Sequence, residues 1–366
     1  MNIVNFGIVG LGGMGVEHIA SLKKSPFAEL KAVCDSNIKI ADEQAEINNV
    51  PAFYNAKDLF DSGKIDAVII ATPHYFHTPI AVAAFDAGIH VLCEKPVAVH
   101  KADAEKMIAA HKKHPELKFA VMFQVRTSGI FEKIKSMIDN GELGNIYRVN
   151  WIVTYWFRTQ KYFNTGNWRA TWNGEGGGVL LNQAPHQLDL FQWMFGMPKR
   201  VRAYCSLGKY HNIEVEDDVT AYCEFDNGFS GVFITSTGEA PGTDRLEISA
   251  ERGRLVLENG KITFDRAEVS VSEFLKTSAA AFGTPRITTE EIQTSGKKGV
   301  HLNIINNFAK AITDGEKIVA TGEDAMNSLE LANAFLYSSI KDETVELPLD
   351  SRKFDEVLND LILKST

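Results

Sequence analysis

Apolar and polar positions alternate along the first third of the chain in two rhythms. Short apolar runs at residues 3–9, 29–34, 66–71, 89–93 and 118–123 predict buried strands. Between them, residues 14–24, 37–47, 77–87 and 100–113 carry apolar positions at helical spacing. Strands alternating with helices in this way predict a parallel sheet with right-handed crossovers and helices on both faces. Ligands of such a sheet bind beyond the carboxyl ends of its strands.

The rhythm changes after residue 123. A helix is predicted near 127–139, stopped by Asn140-Gly141, then a strand near 145–157. Residues 158–176 look irregular, and a helix is predicted near 178–195. From 200 to about 265, short strands follow one another across turns at Asp226-Asn227-Gly228, Arg252-Gly253 and Asn259-Gly260, which predicts antiparallel pairing. Residues 267–298 are polar and poorly periodic, and helices are expected near 300–314, 323–341 and 352–364. The fold class is therefore α/β: a doubly wound Rossmann domain at 1–123, then an α+β domain at 124–366 built on a large, open, mainly antiparallel sheet.

Composition narrows the function classes. With 366 residues, 45% hydrophobic and 23% charged, the chain has the make-up of a soluble globular protein with room for two cores. The net charge of −9 is dispersed apart from short clusters such as Glu214–Asp218, which argues against a nucleic-acid or anionic-membrane surface. No apolar run reaches the length of a membrane span. Met1–Val9 reads as structural rather than as a cleaved leader. Cys34, Cys93, Cys205 and Cys223 are scattered in apolar settings and read as buried thiols of a reducing compartment, so a cytoplasmic location is expected.

Candidate chemistry begins at Gly10-Leu11-Gly12-Gly13-Met14-Gly15, between a predicted strand and a predicted helix. Gly10 permits the turn, Gly12 lets a pyrophosphate approach the backbone, and Gly15 lets helix and strand pack closely. The helix N-terminus then faces the phosphates with free N–H groups. The second strand ends in Asp35-Ser36, at the distance expected of a ribose-binding acid. A carboxylate there accepts from a 2′-hydroxyl and repels a 2′-phosphate, so NAD is expected and NADP disfavoured. Two more strands end on the same edge, at Ala71-Thr72-Pro73 and at Glu94-Lys95-Pro96. Lys95, held at that edge, is suited to lowering the pKa of a substrate hydroxyl; a solvated surface lysine is the other reading.

A second constellation follows Gly176-Gly177-Gly178. Asn182, His186, Asp189 and Trp193 recur at helical spacing along one stripe, with Pro185 forcing the helix to start or kink there. His186 is suited to taking a proton from an alcohol, with Asn182 hydrogen-bonding a hydroxyl and Asp189 orienting the ring. Periodicity alone favours the other reading, a buried and satisfied histidine beside core residues. Tyr155, Trp156, Arg158, Tyr162, Trp168, Arg169 and Trp172 crowd the stretch before it, a composition suited to sugars and also to packing. Of the side chains near the domain crossing and in this stretch, Arg126, Arg158 and Trp168 are the expected substrate contacts. His74-x-x-His77 has the spacing of a metal pair, but no cysteine or acid nearby completes a site, so none is expected.

In these motifs the sequence resembles the glucose–fructose oxidoreductase, inositol dehydrogenase and rhizopine-catabolism (Gfo/Idh/MocA) family. The resemblance runs from the glycine turn through Ala71-Thr72-Pro73 with His77, Glu94-Lys95-Pro96 and the Gly-Gly-Gly helix with His186 and Asp189, to Asn307-Phe308-x-x-Ala311-Ile312-x-x-Gly315. It implies an NAD-dependent dehydrogenase of a secondary hydroxyl on a sugar, glycoside or cyclitol, with Lys95 and His186 in the catalytic positions. It also implies that His77 and Glu94 lie at the cofactor, and that the open sheet supports a homo-oligomer, dimer or tetramer. Many relatives have Asp where this chain has Asn182, and an amide cannot act as a base near neutral pH. Two other readings share the fold: a redox-neutral glycosidase or epimerase that retains its NAD, and a non-catalytic sugar or dinucleotide sensor.

Overall fold

The computed structural model describes residues 3–166 and 168–365, so the first two residues of the Met1–Val9 stretch lie outside the described residues. The chain begins with β1 (Val4–Val9), α1 (Gly13–Leu22), β2 (Ala28–Cys34), α2 (Ile38–Asn48), β3 (Ala52–Phe53), α3 (Ala56–Asp61), β4 (Ala67–Ile70), α4 (His77–Asp86), β5 (His90–Cys93), α5 (Lys101–His111) and β6 (Phe119–Val121). These six strands form one parallel sheet in the order β3-β2-β1-β4-β5-β6. Phe6, Ile8, Val68 and Ile69 are fully buried, because helices cover both faces. The two-residue β3 and the short α3 were not legible as separate elements, being too brief to show a period.

The chain continues with α6 (Gly129–Asp139), β7 (Ile146–Val153), α7 (Gln160–Phe163), α8 (Pro185–Phe195), β8 (Arg200–Leu207), β9 (Glu216–Glu224), β10 (Ser230–Ser236), β11 (Asp244–Ala250), β12 (Gly253–Glu258) and β13 (Lys261–Ala267). It closes with α9 (Val271–Thr277), β14 (Ile287–Ile292), α10 (His301–Thr313), α11 (Gly322–Lys341), β15 (Val345–Glu346) and α12 (Ser351–Lys364). Nine of these strands form a sheet in the order β14-β13-β12-β11-β7-β10-β9-β8-β15. Every pairing in it is antiparallel except β7 with β10, which run parallel. Both join from opposite sides of a long connection that carries α8, so the short-turn rule does not govern that pair.

Inward side chains of this sheet, Trp151, Phe233 and Leu246 among them, are buried beside Leu188, Phe191 and Phe335 of α8 and α11. The last helices return to the first sheet. Ile304, Ile305, Phe308 and Ala309 of α10 share an apolar cluster with Phe6 and Ile8, and burial of Phe308 contributes about 1.5–3 kcal/mol. Just before α11, Ala320 O accepts from Val121 N at 3.1 Å. Together these contacts dock the closing helices onto the parallel sheet, while Tyr75 OH donates to Trp172 O at 2.7 Å and so ties the segment before α8 to the chain that follows β4. Among the described residues no helix is long and apolar enough to cross a membrane.

Candidate active site

The glycine turn is shaped from both sides. Gly10 has φ +94, and a side chain there would meet Ala71 O at 2.6 Å; one at Gly15 would come within 2.0 Å of Gly10 O. Gly12 and Gly13 instead face open space. No side chain caps α1, and its first turn holds no acid, so its N–H groups remain available to an anion. Asp35 is fixed by the N–H of Leu11 to Oδ2 and of Asn37 to Oδ1, each at 2.8 Å. A carboxylate holding two such bonds still has lone pairs for a ribose hydroxyl. Exposed Met14 and Ser36 border this cradle, and Ala71, Thr72 and Pro73 follow β4 beside β1. Thr72 Oγ1 is buried with no partner, a polar atom left over for a ligand. These residues fit a dinucleotide.

Beyond β5 the chain turns through Glu94 and Lys95, with a cis Lys95–Pro96 bond. Burial opposes the charge on Glu94, but His18 Nε2, 2.7 Å from its Oε1, and Lys95 hold its carboxyl down at about 2. Lys95 Nζ crosses to the second domain and donates to the Asn182 carbonyl at 2.8 Å. Burial lowers its pKa, which brings it nearer to that of a group that can share a proton.

His186 lies in the first turn of α8, after Pro185 at the helix start, where a missing N–H costs nothing. Its Nδ1 is buried without a partner and its ring meets Phe123 edge-on, with centroids 5.8 Å apart. Burial and then the charge of Lys95 push its pKa down to about 3, so the ring is neutral at pH 7. The glycines before it are held by Glu216, whose carboxylate accepts N–H bonds from Gly178 at 2.9 and 2.8 Å and from Leu180 at 3.0 Å. Burial raises its pKa to about 7.

Asn182 is committed on three sides. Its carbonyl meets Lys95, its Oδ1 accepts from Tyr162 OH at 3.2 Å, and its Nδ2 donates to Glu175 Oε1. Glu175 is 2% exposed and takes the Ala170 N–H at 2.7 Å on its other oxygen. Tyr162 OH also receives Arg169 Nη1 at 3.0 Å. Trp168 stands edge-on to His74, whose Nδ1 is 3.1 Å from Glu175 O. Arg158 lies over the rings of Trp156 and Tyr162.

Five expectations need correction. Residues 178–184 form turns rather than helix, so Asn182 precedes the helical stripe. Asp189 does not orient His186; it bonds Arg126 Nε and Nη2 at 2.8 and 2.6 Å. Arg126 is 1% exposed, and its remaining nitrogen is taken by Val319 O and Asp324 at 3.0 Å, so it offers a substrate nothing. His77 is fully buried, its ring nitrogens 2.9 Å from Thr72 O and Pro96 O, and it joins two strand ends instead of contacting cofactor. Glu94 is 5% exposed and faces His18 rather than the cradle. Sequence reasoning also passed over His18, Glu175 and Glu216, whose partners are 76, 7 and 38 residues away. Glu216 lies inside the acidic cluster Glu214–Asp218, which reads as a solvated charge run, and nothing local marks it as the buried member. Among the described residues no group of three or more His, Cys, Asp or Glu side chains could hold a metal ion.

Two family models match this chain: residues 4–123 match the NAD-binding Rossmann fold of an oxidoreductase family, and residues 131–256 the GFO/IDH/MocA C-terminal domain. The structure is similar to that of the WlbA dehydrogenase from Chromobacterium violaceum in complex with NADH and UDP-GlcNAcA. The TM-score is 0.82 at 28% identity, covering 96% of this chain and 97% of that one. The oxidoreductase YrbE of Bacillus subtilis is 26% identical over 90% of this chain and 92% of its own length. Myo-inositol 2-dehydrogenase of Thermotoga maritima is 24% identical over 94% of this chain and 98% of its own.

Proposed function

The chain belongs to the GFO/IDH/MocA oxidoreductase family, and on that premise we propose that it oxidises a secondary hydroxyl of a sugar, glycoside or cyclitol with NAD. The observation that carries this reading is the meeting of Lys95, from the end of β5, with Asn182 beside His186, at the mouth of a dinucleotide cradle. Gly12, Gly13, Met14, Asp35, Ser36 and the Ala71–Pro73 turn would hold NAD, which would supply the hydride acceptor. His186, its ring neutral, takes the hydroxyl proton. Lys95 lends positive charge where the alkoxide develops. Asn182 is held by Glu175 and Tyr162 and presents an amide that orients a hydroxyl without exchanging a proton. Residues 1–123 serve as the cofactor unit and 124–366 as the substrate unit.

UDP-GlcNAcA, bound in the WlbA structure, and myo-inositol, named for the Thermotoga enzyme, set the panel for a test. Purified protein is mixed with NAD and inositols, hexoses, glycosides and sugar acids, and NADH is followed by absorbance. Sustained NADH formation with one class supports the reading; binding of NAD with substrate loss but no NADH would replace it with the redox-neutral one.

The outer face of the large sheet supports a homo-oligomer. Tyr204 and Tyr222 are 63% and 45% exposed there, and Leu275 and Phe282 beyond β13 are 78% and 101% exposed. Light scattering on eluted protein tests this, and a monomer at micromolar concentration would overturn it. The four cysteines are all free and three are buried, in keeping with a cytoplasmic location, which cell fractionation checks.

A further inference from the structure

We propose that the sugar carries an anionic group, and that Arg169, with Arg158 beside it, receives that group. The proposal rests on the dehydrogenase reading and adds a substrate class to it. Arginine side chains in this protein are mostly paired when they are enclosed: Arg126 has Asp189 and Asp324, and Arg245 has Glu247 and Glu258. Arg158 and Arg169 are both partly buried, yet among the described residues neither has a carboxylate in ion-pair range.

They are nevertheless held in place. Arg169 lies 4.6 Å from the Trp168 ring centroid and 4.9 Å from that of Tyr162, and donates to the Tyr162 hydroxyl. Arg158 lies 5.1 Å from the same Tyr162 centroid. Its backbone is pinned on both sides, by Thr237 O to its N–H at 2.9 Å and by His211 Nε2 at its carbonyl, also 2.9 Å. His211 is fixed in turn by Asp217. A guanidinium laid on aromatic rings keeps its outward N–H edge free for a planar anion.

The location is the reaction site. From Lys95 the contacts run to Asn182, from Asn182 Oδ1 to Tyr162 OH, and from Tyr162 OH to Arg169. Trp168 meanwhile packs on His74, next to the cofactor-side turn. Each enclosed acid nearby is already engaged by groups other than these two arginines: Glu175 by Ala170 N and Asn182 Nδ2, Glu94 by His18, Glu216 by the N–H groups of Gly178 and Leu180, and Asp217 by His211. Two buried polar atoms near Arg158, Trp156 Nε1 and Thr237 Oγ1, have no partner, which suits a ligand with further oxygens. A neutral cyclitol would leave both guanidinium charges without an anion, since Arg158 Nη1 donates to the carbonyls of Trp156 and Phe157, at 3.4 and 3.0 Å, and Arg169 Nη1 to the Tyr162 hydroxyl. The shared chemistry is an oxyanion, either the carboxylate of a sugar acid or the phosphoryl group of a sugar phosphate.

The test compares matched substrates: glucose with glucuronate and glucose 6-phosphate, and galactose with galacturonate and galactose 6-phosphate. Turnover is read with NAD, and direct binding to the NADH-loaded protein by calorimetry. The expected result is that one anionic set exceeds its neutral partner about tenfold or more in kcat/KM and affinity. Leading uronates identify a carboxylate, and leading phosphates a phosphoryl group. Arg169→Gln should collapse that ratio chiefly through KM while NAD affinity is kept, and Arg169→Lys should restore only part of it because the fork is lost. Neutral sugars bound and oxidised as well as their anionic partners would overturn the inference and leave the dehydrogenase intact. Failure to bind NAD at all would overturn the dehydrogenase reading and the inference with it.

Discussion

Lys95 reaches Asn182 through the main chain: its Nζ donates to the carbonyl oxygen of Asn182, 87 residues downstream, at 2.8 Å. The contact joins the carboxyl edge of the parallel sheet to the turn just before α8. Because the acceptor is a backbone oxygen, the lysine is positioned whatever side chain stands at 182. The side chain of Asn182 is left to Tyr162 and Glu175. Catalytic charge and substrate-side amide are therefore set by separate bonds, and can be disturbed separately.

Replacing Lys95 by Met should lower kcat by about a hundredfold or more, since charge at the developing alkoxide is lost, while NAD still binds. Stopped-flow turnover together with NAD titration checks this. Turnover within about twofold of wild type would remove Lys95 from the catalytic role.

His186 predicts a pH dependence of stability. Its folded pKa, about 3, lies below the ordinary 6.5, so between these values the unfolded chain binds more protons than the native one. Stability then rises with pH, and falls as pH drops from about 6.5 towards 3, by at most about 1.4 kcal/mol per unit. His74, also pushed down to about 3 by burial, acts in the same direction. Urea unfolding at pH 7 and pH 5 should show a smaller loss for His186→Asn than for wild type. An equal loss in both would show that the ring is not held neutral. Turnover should likewise keep its activity well below pH 6.5, because the base stays unprotonated.

Arg126 should matter for stability and not for sugar preference. Arg126→Met would leave Asp189, 1% exposed, without its counter-charge, at a cost of about 3–5 kcal/mol. Thermal melting would show the loss, while the ranking of sugars by kcat/KM should not change. A reordered ranking at unchanged stability would return Arg126 to the substrate.

Where signals were local, the sequence was legible. The glycine turn, Asp35 and the strand ends at Ala71 and Glu94 each declare themselves within a few residues, because a strand, a tight turn and a helix start are short-range events. The break at Pro185 read as either a start or a kink in a helix expected from 178, and the structure makes it the start, which takes Asn182 off the helix face. What stayed hidden was pairing across long separations. Nothing near Arg126 or Asp189 says that each is the other's partner 63 residues away, and an arginine near a cleft reads the same whether it meets substrate or a buried acid. Likewise, the parallel pairing of β7 with β10 depends on where a long crossover returns.

Asp35 should decide between cofactors. Its carboxylate already accepts two backbone N–H bonds, so Asp35→Ser loosens the turn and also removes the charge that repels a 2′-phosphate. KM for NAD should rise about tenfold, the worth of a hydrogen bond to a charged group, and the NAD-to-NADP ratio of kcat/KM should fall by more. Steady-state kinetics with both cofactors checks it. An unchanged ratio would take Asp35 out of ribose recognition.

The pair Glu175 and Asn182 yields the sharpest test, because its polarity can be reversed. Nδ2 of Asn182 donates to Glu175 Oε1, while Glu175 Oε2 accepts from Ala170 N. Burial raises the Glu175 pKa, against the pull of those two bonds and of Arg169 and Lys95. Asn182→Asp would set a second carboxylate against it, remove the donor and force one of the two acids to hold a proton. The expected result is a loss of stability of about 1–3 kcal/mol at pH 7 that shrinks as pH falls, with turnover reduced in parallel. Adding Glu175→Gln should restore much of both. The introduced amide nitrogen would donate to the introduced carboxylate, and the amide oxygen would still accept from Ala170 N, so each buried polar atom regains a partner. If the double variant is no better than Asn182→Asp alone, the bond between these side chains does not position the site, and Glu175 serves only the turn at Ala170.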